Sequence, residues 1–190
     1  MKTRQLLSVL PLLALPLAAQ AAPETFAIDP THTFPLFSYS HLGYTTQTSR
    51  FDKTMGKIVL DLEAKSGSAD ITIDMKSVST GSPVFNEHIQ GEDFFNTAKY
   101  PTATFKSTNA YFDGDKPVAL DGDLTLKGIT RPVRLKITSF RHMAHPMLKK
   151  DAIGANAVTV VKRSEFDMAK YTPFVGDEVT ITIAIEALKD

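Results

Sequence analysis

The stretch Glu178-Val179-Thr180-Ile181-Thr182-Ile183-Ala184-Ile185-Glu186-Ala187-Leu188 alternates: Val179, Ile181, Ile183 and Ile185 fall on one side, Thr180, Thr182, Ala184 and Glu186 on the other. Successive side chains of a strand point to opposite faces, so this segment reads as a long strand with one buried face. The same period recurs upstream. Ile58, Leu60 and Leu62 alternate with Val59, Asp61 and Glu63; Ile71, Ile73 and Met75 with Asp70, Thr72 and Asp74; Val133, Leu135 and Ile137 with Arg134, Lys136 and Thr138. Breaks at Ser66-Gly67-Ser68, Asp113-Gly114-Asp115, Lys127-Gly128 and Val175-Gly176-Asp177 separate the runs as hairpin loops do.

Extending the pattern gives eight strands, over residues 34–42, 55–63, 69–76, 102–112, 118–126, 130–140, 155–162 and 178–188. Long successive strands with hairpin links favour an all-β antiparallel barrel or sandwich. An eight-stranded barrel is just wide enough to be filled by side chains or to hold one small ligand, and the pattern does not choose between them. Residues 82–99 differ. Val84, Phe85, His88 and Ile89 fit helical spacing, Phe94-Phe95 follows, and Tyr100-Pro101 closes the segment, which predicts one or two short helices at one end of the barrel.

The chain has 190 residues, 21 basic and 21 acidic side chains, and no Cys. Balanced charge excludes a basic nucleic-acid groove, and the absence of thiols excludes disulfide scaffolds, Cys zinc sites and cysteine nucleophiles. At the N-terminus Lys2 and Arg4 precede an apolar run from Leu6 to Ala19, followed by Ala19-Gln20-Ala21. This is the order of a secretory signal, with cleavage expected after Ala21. The run is shorter than a membrane span and contains Pro11 and Pro16. The expected organisation is a cleaved signal at 1–21 and one exported domain at 22–190.

On the first strand Phe37, Tyr39 and His41 share one face, opposite Ser38 and Ser40. Two aromatic rings with an imidazole suit a pocket better than a uniformly aliphatic core. Here the residues carry a family resemblance. Ile28-Asp29-Pro30-Thr31-His32-Thr33 with Phe37 and His41 resembles the I-D-x-x-H-S…F…H opening of YceI-like proteins. Asp93-Phe94-Phe95 with Tyr100-Pro101-Thr102-Ala103-Thr104-Phe105-Lys106-Ser107 is similar to the family's D-F-F…P-x-x-x-F-x-S stretch. Gly122-Asp123-Leu124-Thr125-Leu126-Lys127-Gly128-Ile129-Thr130-Arg131-Pro132-Val133 is similar to its G-x-L-T-x-x-G-x-T-x-x-V block, and Lys162-Arg163-Ser164-Glu165-Phe166 to its late R-S-[DE]-F. Two family glycines are replaced, by Ser49 and Asp167, which puts turn geometry there in question.

The resemblance implies an extended eight-stranded lipocalin-like barrel. It also implies a periplasmic protein that binds, sequesters or carries a long-chain isoprenoid lipid, a polyprenyl or quinone tail, in an apolar pore. The expected pore residues are Phe37, Tyr39, His41, Ile73, Met75, Phe105, Leu124, Leu135, Ile137, Phe166 and Ile183. No catalytic residue, metal or cofactor of its own is expected; the expected partners are the lipid and a transient membrane partner, with monomer and homodimer both open. Two alternatives stand beside this: an electron-transfer accessory with a bound quinone as working cofactor, and a stress-related interaction protein with a closed core.

Other chemistry finds less support. His142-Met143-Ala144-His145-Pro146-Met147 offers imidazoles and thioethers that suit copper, but Pro146 and Lys149-Lys150 suit a solvated turn better. No G-x-S-x-G elbow occurs. Glu92-Asp93 reads as capping or solvated charge, His32 as a partner of the Asp29-Pro30 turn backbone, and Arg163 as an ion-pair partner or barrel-end clamp, with a lipid head as its alternative contact.

Overall fold

A computed structural model describes residues 22–190, so the expected signal at 1–21 lies outside the described residues. Eleven strands are described: β1 (Glu24–Ile28), β2 (Phe34–His41), β3 (Thr45–Phe51), β4 (Thr54–Asp61), β5 (Ser66–Asp74), β6 (Val78–Ser79), β7 (Thr102–Asp113), β8 (Lys116–Leu126), β9 (Ile129–Ala144), β10 (Asp151–Lys162) and β11 (Glu178–Lys189). One helix, α1 (Pro83–Ile89), and 3-10 turns at Met75–Ser77 and Arg163–Phe166 join them. The strands trace eight courses, because three courses are each broken once. β11 pairs with β2 through Thr180 to Ala184 and with β1 through Ala187 to Lys189, so β1 and β2 lie end to end along it. Likewise β3 and β4 form one course and β5 and β6 another. All pairings are antiparallel, and the β1–β11 pairing closes the ring. Closure removes the open edges at which β-proteins otherwise aggregate.

The breaks have local causes. After β1, the Asp29 carboxylate accepts from the Thr31 amide (2.8 Å), the Thr31 hydroxyl (2.6 Å) and His32 Nδ1 (2.8 Å), an Asx-type turn that bends the chain out of the ladder. His32 thus holds the Asp29 side chain, where the sequence suggested the turn backbone. The Thr33 hydroxyl substitutes for the missing strand: it accepts from Glu186 N (3.1 Å) and donates to Glu186 O (3.2 Å). The other two breaks meet each other, since Asp52 N donates to Ser77 O and Lys53 N to Ser77 Oγ, both at 3.0 Å.

All eight predicted strands fall on the eight courses. Their ends differ: Met75 sits in a 3-10 turn, and β9 runs on to Ala144, so His142, Met143 and Ala144 are strand where a loop was expected. Only one α-helix forms between 82 and 99, capped by the Ser82 hydroxyl accepting from Phe85 N and started by Pro83. Residues 91–99 are turns. Within α1, Phe85 and Ile89 face inward, whereas Val84, grouped with them by spacing, is 79% exposed. Two buried clusters fill the barrel walls. Phe37, Phe51, Met75, Ile89, Phe95 and Phe166 lie toward α1, and Phe26, Ile28, Leu60, Ile71, Leu135 and Ile153 toward the opposite end.

Candidate functional site: an apolar pore along the barrel axis

The barrel is hollow along its axis. A first cavity of about 220 Å³ lies under α1, and a second of about 160 Å³ continues toward the far end. Both are lined by Pro35, Ile73, Leu124 and Ile181, which mark the waist where they meet. An apolar cavity of about 150 Å³ stays dry and accepts an apolar guest. Each chamber is of that size or larger, so the space suits hydrocarbon better than water.

The strand period places the lining. Phe37, Tyr39 and His41 of β2 point into the first cavity with Met75, while Phe105, Leu135, Ile137 and Ile183 line the second. Ile73 and Leu124 stand at the waist. Ten of the eleven residues expected in a pore therefore surround this channel. Phe166 does not: the 3-10 turn buries it completely behind the wall, where it packs with the cluster under α1.

The sequence placed short helices at one end of the barrel but named none of their side chains as pore residues. Phe85, His88, Ile89, Phe94 and Phe95 from α1 and its turn, with Phe51, Met168 and Tyr171, complete the first cavity. The helical spacing of Phe85 and Ile89 and the Phe94-Phe95 pair marked the segment, but nothing local says which of its side chains turn into the pore. Phe37, Phe51 and Phe95 form an aromatic wall with centroids 5.4 to 5.8 Å apart, in the favourable tilted and edge-on range. The His88 ring lies 5.0 Å from Phe94, which lies 6.3 Å from Tyr171.

The ionisable side chains that line the pore all lie at the α1 end. Arg163 is 8% exposed and donates to four backbone oxygens: Gly176 O (2.9 Å) from Nε, Lys170 O (2.9 Å) and Met168 O from Nη1, and Val175 O (2.8 Å) from Nη2. It clamps the loop between β10 and β11 and accounts for four of the five N–H donors of a guanidinium. No ion pair to Arg163 is formed among the described residues; Asp177 instead accepts from the Ser164 amide and hydroxyl. Burial pushes the guanidinium pKa down, opposed by Asp177 and Tyr39, and burial pushes the Tyr39 phenol up, opposed by Arg163. Asp93 of the Glu92-Asp93 pair forms an ion pair with Lys170, tying the turn after α1 to the same loop.

His142 groups with Glu24 and Asp151 rather than with His145 of its own stretch. His142 Nε2 lies 3.0 Å from Asp151, with its ring edge-on to Phe26 at 5.7 Å. His145 Nδ1 accepts from the amides of Met147 and Leu148 in the β9–β10 turn, and Met143 and Met147 are exposed. Of the two replaced glycines, Ser49 is a regular buried strand residue opposite Phe37. Asp167 keeps the left-handed conformation that a glycine favours, at φ 57° and ψ 41°.

A closed eight-stranded antiparallel barrel around an apolar axial pore, capped at one end by a short helix, defines a lipocalin-like barrel. The YceI-like domain model matches residues 26–187, and the chain belongs to that family. It is similar to Protein YceI of Escherichia coli O157:H7, with 34% identity over 177 residues covering 90% of this chain and 91% of the relative. Among solved structures, Burkholderia cenocepacia BcnA superposes with a TM-score of 0.72 at 25% identity, covering 84% of this chain and 99% of that one. A polyisoprenoid binding domain from Saccharophagus degradans, implicated in plant cell wall breakdown, shares the fold at TM-score 0.65 and 19% identity over 87% of this chain and 98% of that one.

Proposed function

We propose that this protein is an exported, periplasmic carrier that holds a long-chain isoprenoid lipid in its barrel and catalyses no reaction of its own. The observation that carries this is the polarity gradient of the pore. The second cavity is walled chiefly by Ile, Leu, Val and Phe, whereas Tyr39, His41, His88, Arg163 and Tyr171 are grouped at the α1 end of the first. A lipid tail fits beyond the waist, with its head among these polar groups. Two further features support the reading: the signal-like order of residues 1–21, and the barrel shared with the Saccharophagus degradans polyisoprenoid binding domain.

Magnitudes agree. Burying apolar carbon contributes about 0.8 kcal/mol per CH₂. A tail of about 20 carbons therefore has a gross term of about 16 kcal/mol before ordering costs, enough for tight binding without strong polar contacts. A quinone tail and a polyprenyl alcohol satisfy the same requirement.

The test is native mass spectrometry after incubation with geranylgeraniol and gentle desalting. A retained one-to-one complex that is lost in Phe37→Trp, with unchanged circular dichroism, is expected. Uptake equal in the variant and the parent, or none in the parent, would overturn the proposal.

A further inference from the structure

The end of the barrel at which the first cavity opens differs from the rest of the surface. Two loops meet there, the turn between β2 and β3 and residues 171–176 ahead of β11. Leu42 N donates to Phe174 O and Gly176 N to Ser40 O, both at 2.8 Å, and His41 bridges to Val175. Joined in this way, the loops hold Leu42, Tyr44, Tyr171 and Phe174 out to solvent at 49, 85, 53 and 72% exposure. Neither 39–48 nor 171–176 contains a charged residue, in a chain that is 22% charged; the flanking Lys170, 5.3 Å from the Tyr171 ring, is held in an ion pair with Asp93. His41, Tyr171 and Val175 of these same loops line the first cavity, so the exposed apolar tip runs into the mouth of the pore. The β9–β10 turn also exposes Met147 and Leu148, but Lys149 and Lys150 follow directly.

We propose that this charge-free tip inserts into the interfacial layer of a lipid bilayer and seats the pore mouth there, so that a tail passes between bilayer and barrel without crossing water. The inference rests on the pore being a lipid site. Tyr and Phe are favoured at the headgroup boundary, where an amphipathic ring has one apolar and one wet side. Four exposed apolar side chains on two joined loops that run into the pore mouth suit a fluid apolar surface. With no basic residue in either loop, insertion is governed by apolar burial, so it does not require anionic lipid.

Co-sedimentation with phosphatidylcholine vesicles tests this on the mature chain. The parent protein should partition onto the vesicles, and Leu42→Ser/Tyr44→Ser/Phe174→Ser should lower the partition coefficient by about tenfold or more, because apolar area drives such binding. Added phosphatidylglycerol or salt should change it little. Phe174→Ser alone should give a smaller fall, which keeps the test valid if the triple variant fails to fold. Equal partition of parent and variants, a parent that stays in the supernatant, dependence on anionic lipid, or tip-dependent dimerisation in sedimentation velocity without vesicle binding would each overturn the proposal. Geranylgeraniol uptake measured in parallel separates the two claims. Uptake without vesicle binding removes the docking surface and leaves the pore; vesicle binding without uptake removes the pore as a lipid site.

Discussion

The ammonium of Lys127, only 6% exposed, donates to the backbone oxygen of Asp167 at 2.6 Å and lies 3.1 Å from its carboxylate. Both residues are left-handed, at φ 51° and φ 57°. The contact ties the tight β8–β9 turn to the 3-10 turn that buries Phe166. Asp and Asn tolerate this conformation far better than residues without a short polar side chain, for which it costs about 1–2 kcal/mol. Asp167→Asn keeps the backbone preference and removes the charge. Because the carboxylate is 79% exposed, the expected loss is about 1 kcal/mol or less in urea unfolding, shrinking in high salt. Asp167→Ala should fall below Asp167→Gly by about 1 kcal/mol, since only glycine relieves the strain.

The Asp29–His32 corner makes the β1–β2 break pH-sensitive. The Thr31 hydroxyl, then the His32 ring, hold the Asp29 carboxyl down at about 2, and the hydrogen bond to Asp29 pushes His32 above its ordinary value. His32 therefore contributes fully below its unfolded pKa of about 6.5, and this is lost as pH rises through the higher folded value. Asp29 contributes above its unfolded pKa of about 3.9, and this is lost as pH falls through about 2. The corner is fully held between about pH 4 and 6.5. An NMR titration of the His32 ring should give a midpoint above the ordinary histidine value, returning to it in Asp29→Asn.

Two positions in β4 should respond in opposite directions. Thr54 is 2% exposed and its hydroxyl has no partner among the described residues. Thr54→Val, equal in shape, removes an unsatisfied buried group and should stabilise by about 1 kcal/mol in thermal or urea unfolding. Gly56 has φ 146°, and a Cβ there would lie 2.2 Å from Asp70 O on the paired strand. Gly56→Ala should destabilise by about 2–3 kcal/mol, because rigid backbone must move.

The waist separates the effects of the two chambers. Leu135 lines only the second cavity and Phe37 only the first. Leu135→Trp should shorten the pore: by native mass spectrometry it should still retain farnesol while losing geranylgeraniol. Phe37→Trp should lose both. Equal retention of the two alcohols by Leu135→Trp would show that tails do not pass the waist.

By itself the sequence determined the all-β class, the eight courses and which face of each looks inward, because a period of two leaves no other face for Ile71, Leu135 or Ile183. The ordered family motifs added the barrel. Polar strands were not legible: Thr45–Phe51 buries only Ser49 and Phe51, so its pairing with β2 left no mark in hydropathy. Five-residue β1 and two-residue β6 are too short to show a period. Only the tertiary structure decided that the barrel is hollow and divided at Pro35, Ile73, Leu124 and Ile181, and that Phe85, Phe94 and Phe95 roof one end. It also decided that Phe166 belongs to the wall. The physical reason is that alternation fixes a side chain's direction, whereas the space left between inward side chains depends on residues brought together from across the ring.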